Sequence, residues 1–169
     1  MQSENKTILL FFLALIAFSC SRMDAVRLVE PKYTFNRYGR VENKPIPKDK
    51  KKVVSYWKLR GIDFDLMHTP DGKIDSLIKM NPDWAFIFYI KCNDSDTSKV
   101  VNTLDAYNQN FEAILDFNWD FAEKNALDTS LSSIGFICAP DNSILGLAVI
   151  GTTMSFFDSE FEKAKKILR

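Results

Sequence analysis

The stretch DWAFIFYIKC, Asp83 to Cys92, constrains the fold more than any other part of this chain. From Trp84 to Ile90 every residue is apolar. A strand with one wet face alternates apolar and polar residues, whereas a strand apolar on both faces must be covered on both. The stretch therefore predicts a central strand with helices on each side. The polar segment Asn93 to Lys99 follows at once, and Asp94, Ser95 or Asp96 stands where it can cap a helix. Val100, Val101, Leu104 and Tyr107 would form the buried stripe of that helix.

FEAIL, Phe111 to Leu115, reads as a second buried strand, ending near Asp116. Strand, helix and strand in that order imply a parallel pair with a right-handed crossover. NWDFAEKN, Asn118 to Asn125, reads as a short helix, and SIGFICA as a third strand. Pro140-Asp141-Asn142-Ser143 is a turn that joins antiparallel strands, so ILGLAVIG is its partner arm. Phe157, Phe161, Ala164 and Leu168 line one face of a final helix, whose late lysines suit its dipole. Upstream, VVSYWKL and IDFDL each read as an edge strand or a hairpin arm, and KIDSLIKM as a helix that Asp71 can cap and Asn81-Pro82 stops. The sum is an α/β chain: a βαβ unit and then a ββα unit, forming a mixed central sheet with helices on both faces, a three-layer sandwich.

The N-terminus reads as an address. Ile8 to Phe18 is an apolar run of 11 residues, where a bilayer span needs about 20. It ends in Ala17-Phe18-Ser19-Cys20, which resembles a bacterial lipoprotein signal (residues 1–19) cleaved before a cysteine that is then acylated. The expectation is a chain lipidated at Cys20 and held at a membrane of the bacterial cell envelope, facing the periplasm or the outside. Residues 20–52 look like a tether, with Pro31, Pro45, Pro47 and the charge run Lys48 to Lys52 as a solvated patch. The compact domain, 53–169, then starts at Val53.

With 22 basic and 22 acidic residues the chain is neutral. A neutral chain argues against a nucleic-acid partner, which calls for a basic surface. No Cys/His cluster has zinc-ligand spacing, and His68, the one histidine, reads as a loop or capping residue. Asp94, Asp96, Ser98 and Asp105 faintly echo a calcium loop, but its obligatory glycine is Lys99 and the segment reads as helix. No metal and no cofactor are expected.

The order of elements resembles the thioredoxin-like superfamily, and two segments carry the likeness. AILDFNWDFAEKNAL is similar to the place where thiol-disulfide oxidoreductase and peroxiredoxin-like lipoproteins end a strand in Asp and begin a short helix. SIGFICAPDNSILGLAVIG is similar to their antiparallel hairpin. The resemblance implies a CxxC redox pair just after the first central strand and a cis proline before the third. Set after the DWAFIFYIK strand, that pair would fall at Cys92-Asn93-Asp94-Ser95, which has one cysteine. Leu131-Ser132-Ser133-Ile134 has no proline.

A thiol reacts as its thiolate, which a helix N-terminus or a cation such as Lys91 stabilises, while Asp94, Asp96 and Asp116 oppose it. If Cys92 and Cys138 sat on antiparallel neighbours, their sulfurs would be on the order of 10 Å apart, too far for a disulfide. The expectation is a degenerate, redox-inactive domain acting in binding or assembly with an envelope protein partner. The alternative is a single-cysteine thiol oxidoreductase or peroxidase using Cys92.

Overall fold

The structure, a computed structural model, describes residues 27–31, 33–42, 46–59, 73–109, 111–117, 119–128, 130–131, 133–147 and 154–167. Cys20 and the apolar run before it, the IDFDL segment, His68, Asp71, Asn118, Leu168 and the last residues of ILGLAVIG lie outside the described residues.

Among the described residues, one sheet of seven strands orders the chain: β1 (Thr34–Asn36), β2 (Val41–Glu42), β3 (Lys51–Lys58), β4 (Trp84–Lys91), β5 (Ala113–Asp116), β6 (Ser133–Cys138) and β7 (Ile144–Leu147). Their spatial order is β2-β1-β5-β4-β3-β6-β7. The apolar stretch that opened the reading is β4, at the centre. β3, β4 and β5 are parallel, and β6 and β7 run antiparallel, as the turn at Pro140 to Ser143 predicts.

Helices α1 (Lys73–Met80), α2 (Thr97–Ala106) and α4 (Met154–Ile167) connect or follow these strands, with α3 (Asp120–Lys124) between β5 and β6. Alternation along the strands separates two cores. Val53, Trp57, Phe88, Ile90 and Leu115 share one core with Ile74 of α1, Val100 and Leu104 of α2 and Phe161 and Ala164 of α4. Val54, Tyr56, Ile87 and Tyr89 face the other way, against Phe121 and Ala122 of α3 and against Leu28 and Ile46. Helices thus cover both faces of the sheet.

Four expectations change. VVSYWK is not an edge or hairpin arm: β3 lies between β4 and β6 and is buried from Lys52 to Trp57. Two βαβ crossovers follow one another, β3-α1-β4 and β4-α2-β5. The segment read as a tether supplies β1 and β2, and β1 pairs with β5. It is pinned elsewhere by Asn125, whose Oδ1 accepts from Val29 N at 2.7 Å while its Nδ2 donates to Val29 O at 2.9 Å. Prolines and charges do not prevent such pairing, because short strands need backbone partners more than a core pattern.

Lys52, read as part of a solvated run, is fully buried. Its Nζ donates to the carbonyls of Ala139 and Pro140 at 3.3 and 2.5 Å, tying β3 to the β6–β7 turn. Finally, no side chain of Asp94, Ser95 or Asp96 caps α2. A 3-10 turn at Asp94–Asp96 leads into it, and Thr97 Oγ1 donates to Asp94 O at 2.9 Å.

Candidate functional site at the ends of the parallel strands

Parallel sheets place their ligand crevice outside the carboxyl ends of the strands. Here those ends are in register: Lys58 pairs with Lys91, and Lys91 with Asp116. Strand alternation turns all three toward the α3 face. Cys92 is one residue further on, and it belongs to the core on the opposite face, the one that holds Trp57 and Val100.

That placement explains the thiol. Cys92 is 4% exposed. Burial first, then Asp96, Asp116 and Asp94, push it from an ordinary 9.0 up to about 12, and Lys91 offsets only part of this. Cys138 is likewise buried and pushed up to about 12, burial being the main cause. Both cysteines are free. β3 separates their strands, so they are not on neighbouring strands as the sequence reading supposed. Cys138 is level with Lys52 and thus with Ala85. Cys92 lies seven residues beyond Ala85, about 23 Å along the sheet at ~3.3 Å per residue.

Asp116 closes the row of strand ends. It is 5% exposed, and its Oδ1 accepts from Phe121 N at 3.4 Å, holding the start of α3. The Tyr56 hydroxyl lies beside this carboxyl. Yet neither Tyr56 Oη nor Asp116 Oδ2 has a partner within hydrogen-bond geometry. Burial pushes the Asp116 carboxyl above its usual 3.8, with Asp120 adding to the rise and the Phe121 and Ala122 amides opposing it. The unfolded carboxyl therefore releases its proton first. Any stability this group contributes is fully present below pH 3.8 and is lost as pH rises through the folded value.

Asp116→Asn keeps an oxygen for Phe121 and removes the charge. We expect it to be more stable than wild type at pH 7 by about 1 kcal/mol, with the gap closing below pH 3.8. Urea unfolding at both pH values measures this, and a variant weaker than wild type at pH 7 would contradict it.

Trp119 precedes α3 in a left-handed conformation, φ 57°. A bulky residue rarely adopts this backbone. Its ring lies under Lys91, with Nζ 2.8 Å from the ring centroid. Between β3 and β4 is a cleft of about 500 Å³ whose described lining is Lys58, Leu59, Lys91, Cys92, Asn93, Asp96 and Lys99. Local sequence did not reveal this cleft, because it depends on Lys58 and Lys91 meeting across two strands. Among the described residues no group of three His, Cys, Asp or Glu side chains could hold a metal ion, and no helix is long and apolar enough to cross a membrane.

No family model matches this chain, and no curated protein does. Solved structures do. An uncharacterized thioredoxin-like protein from Porphyromonas gingivalis is 16% identical with a TM-score of 0.58, over 83% of this chain and 91% of that one. The fold is thioredoxin-like. The thioredoxin domain of a thiol-disulfide oxidoreductase from Bacteroides vulgatus matches at 13% identity and TM-score 0.61, over 87% and 99% of the two chains. A secreted disulfide oxidoreductase from Mycobacterium tuberculosis matches at 12% and 0.55, over 79% and 94%.

With the thioredoxin-like fold in place, the redox position moves. The first central strand is β3, not β4. The residues after it, Leu59-Arg60-Gly61-Ile62-Asp63, contain no cysteine. Cys92 ends the second parallel strand instead. The described residues contain no cis peptide bond.

Proposed function

We propose that this chain is a lipid-anchored protein of the bacterial cell envelope whose thioredoxin-like domain binds or assembles with a partner and does not exchange disulfides. The observation that carries the reading is the absence of a cysteine from the residues directly after β3, Leu59 to Asp63. Two buried, protonated and widely separated thiols elsewhere support it. A thiol–disulfide exchange needs a thiolate that can reach its target.

Insulin reduction and peroxide consumption are the tests. The chain should turn over neither, and Cys92→Ser should behave like the parent. Turnover that disappears in Cys92→Ser would establish the alternative, a single-cysteine enzyme, which the position of Cys92 on the cleft wall favours.

The anchor rests on the apolar run of residues 8–18 and on Cys20. A labelled fatty acid fed to expressing bacteria should enter the wild-type chain and not Cys20→Ser, which should leave the membrane fraction. One acyl chain binds only marginally, so several chains or a partner would be needed for firm attachment. Equal labelling of both proteins would contradict lipidation at Cys20.

A further inference from the structure

We propose that the end of the sheet where the parallel strands begin, opposite the cleft, is the face this protein lays against an anionic lipid surface. The proposal rests on the reading that Cys20 carries the anchor, and it adds which way the domain then faces.

The chain enters the domain at that end. Arg27 bridges to Ser143 and its guanidinium meets Asp141 at 3.0 Å, while Leu28 N donates to Asn142 O at 3.0 Å. These partners belong to the β6–β7 turn. Lys52, at the start of β3, is tied to the same turn through the carbonyls of Ala139 and Pro140. β4 starts level with β3, Trp84 opposite Lys51, and Lys50 Nζ donates to Pro82 O at 3.0 Å.

Seven residue steps separate Cys20 from Arg27. At ~3.6 Å each they reach no more than about 25 Å in any conformation. β3 is eight residues long, so the cleft end stands about 23 Å from the entry end at ~3.3 Å per residue. A domain turned cleft-down would need this whole link drawn straight along its side, and fixing every residue in one conformation costs backbone entropy. Resting on its entry end, the domain makes no such demand.

The entry end also suits the surface. Lys48 is exposed. Lys50 meets a carbonyl, and the Lys51 ammonium lies 5.7 Å from the centroid of the Trp84 ring, so neither lysine is neutralised by these contacts. Phe161 packs against Trp84 with centroids 4.7 Å apart, which brings the last turn of α4 here. Lys165 Nζ is 4.5 Å from the Phe161 centroid, and Lys166 is exposed. The exposed Asp49 and Asp83, and Glu162 paired with Lys165, offset part of this charge. Met80 and Ile167, at the ends of α1 and α4, are 66% and 68% exposed. Basic residues are drawn to anionic headgroups, and apolar side chains beside them settle at the headgroup boundary. The cleft is then presented away from the membrane.

Lysine acylation read by peptide mass mapping tests this. The full-length chain is purified in detergent and reconstituted into vesicles of phosphatidylglycerol and phosphatidylethanolamine. A membrane-impermeant succinimidyl ester is added to both forms. Relative to Lys99, in the first turn of α2 at the cleft end, Lys48, Lys50 and Lys165 should react about fivefold or more slowly in vesicles than in detergent, the factor that one basic residue near an anionic surface supplies.

The intact mass of the chain is read in the same samples. An unacylated Cys20 defeats the anchor and takes this proposal with it. An acylated chain whose two ends react alike, or whose Lys99 is the protected one, overturns the orientation and leaves the anchor standing.

Discussion

An aromatic disulfide reagent mixed with the native protein at neutral pH should modify Cys92 about a thousandfold more slowly than it modifies the same cysteine in denaturant. Raising a thiol from 9.0 to about 12 cuts its thiolate fraction by that factor. Burial slows it further, because the sulfur faces the core formed with α1, α2 and α4. Cys138 should be equally slow. The measurement is a time course followed by mass mapping, with urea-unfolded protein as reference. Because the acidic neighbours contribute to the rise, Asp96→Asn should speed the native reaction modestly and leave the unfolded rate unchanged. A native Cys92 that reacts as fast as the unfolded one would sink the structural account of this thiol.

That account sharpens what the sequence could say. The central strand was legible because seven consecutive apolar residues admit few alternatives. The hairpin and the Asp116 strand end were legible because turn chemistry is local. β3 was harder to place, since Lys52 and Ser55 interrupt its apolar run and both are buried by long-range contacts. Lys52 is satisfied by carbonyls 87 and 88 residues away, which no local pattern announces.

The place of β3 in the sheet decides the chemistry expected of Cys92. With β4 taken as the first central strand, Cys92 fell at the redox position. With β3 recognised, that position carries no cysteine, and Cys92 becomes a core residue just beyond the end of the next strand. The lysine pair could not be found at all without the register, because Lys58 and Lys91 are 33 residues apart and become neighbours only through β3–β4 pairing.

Phe121→Ala should be the most damaging single substitution on the α3 face. Phe121 is fully buried and stacks on Tyr89, with ring centroids 3.9 Å apart and planes at 12°, and on Tyr56 at 5.9 Å. A buried Phe→Ala change costs about 3–5 kcal/mol, from lost transfer energy and the cavity left behind. The backbone bond from Phe121 N to Asp116 Oδ1 does not involve the ring, so the loss should come from packing. Five-residue α3 has little helical stability of its own. With its anchor gone, the helix and the preceding Trp119 should lose their fixed position under Lys91. Urea unfolding should show the full destabilisation. A stability loss below about 1 kcal/mol, the range of ordinary surface changes, would mean that Phe121 does not hold α3 to the sheet. The wall of the lysine cleft would then need another support.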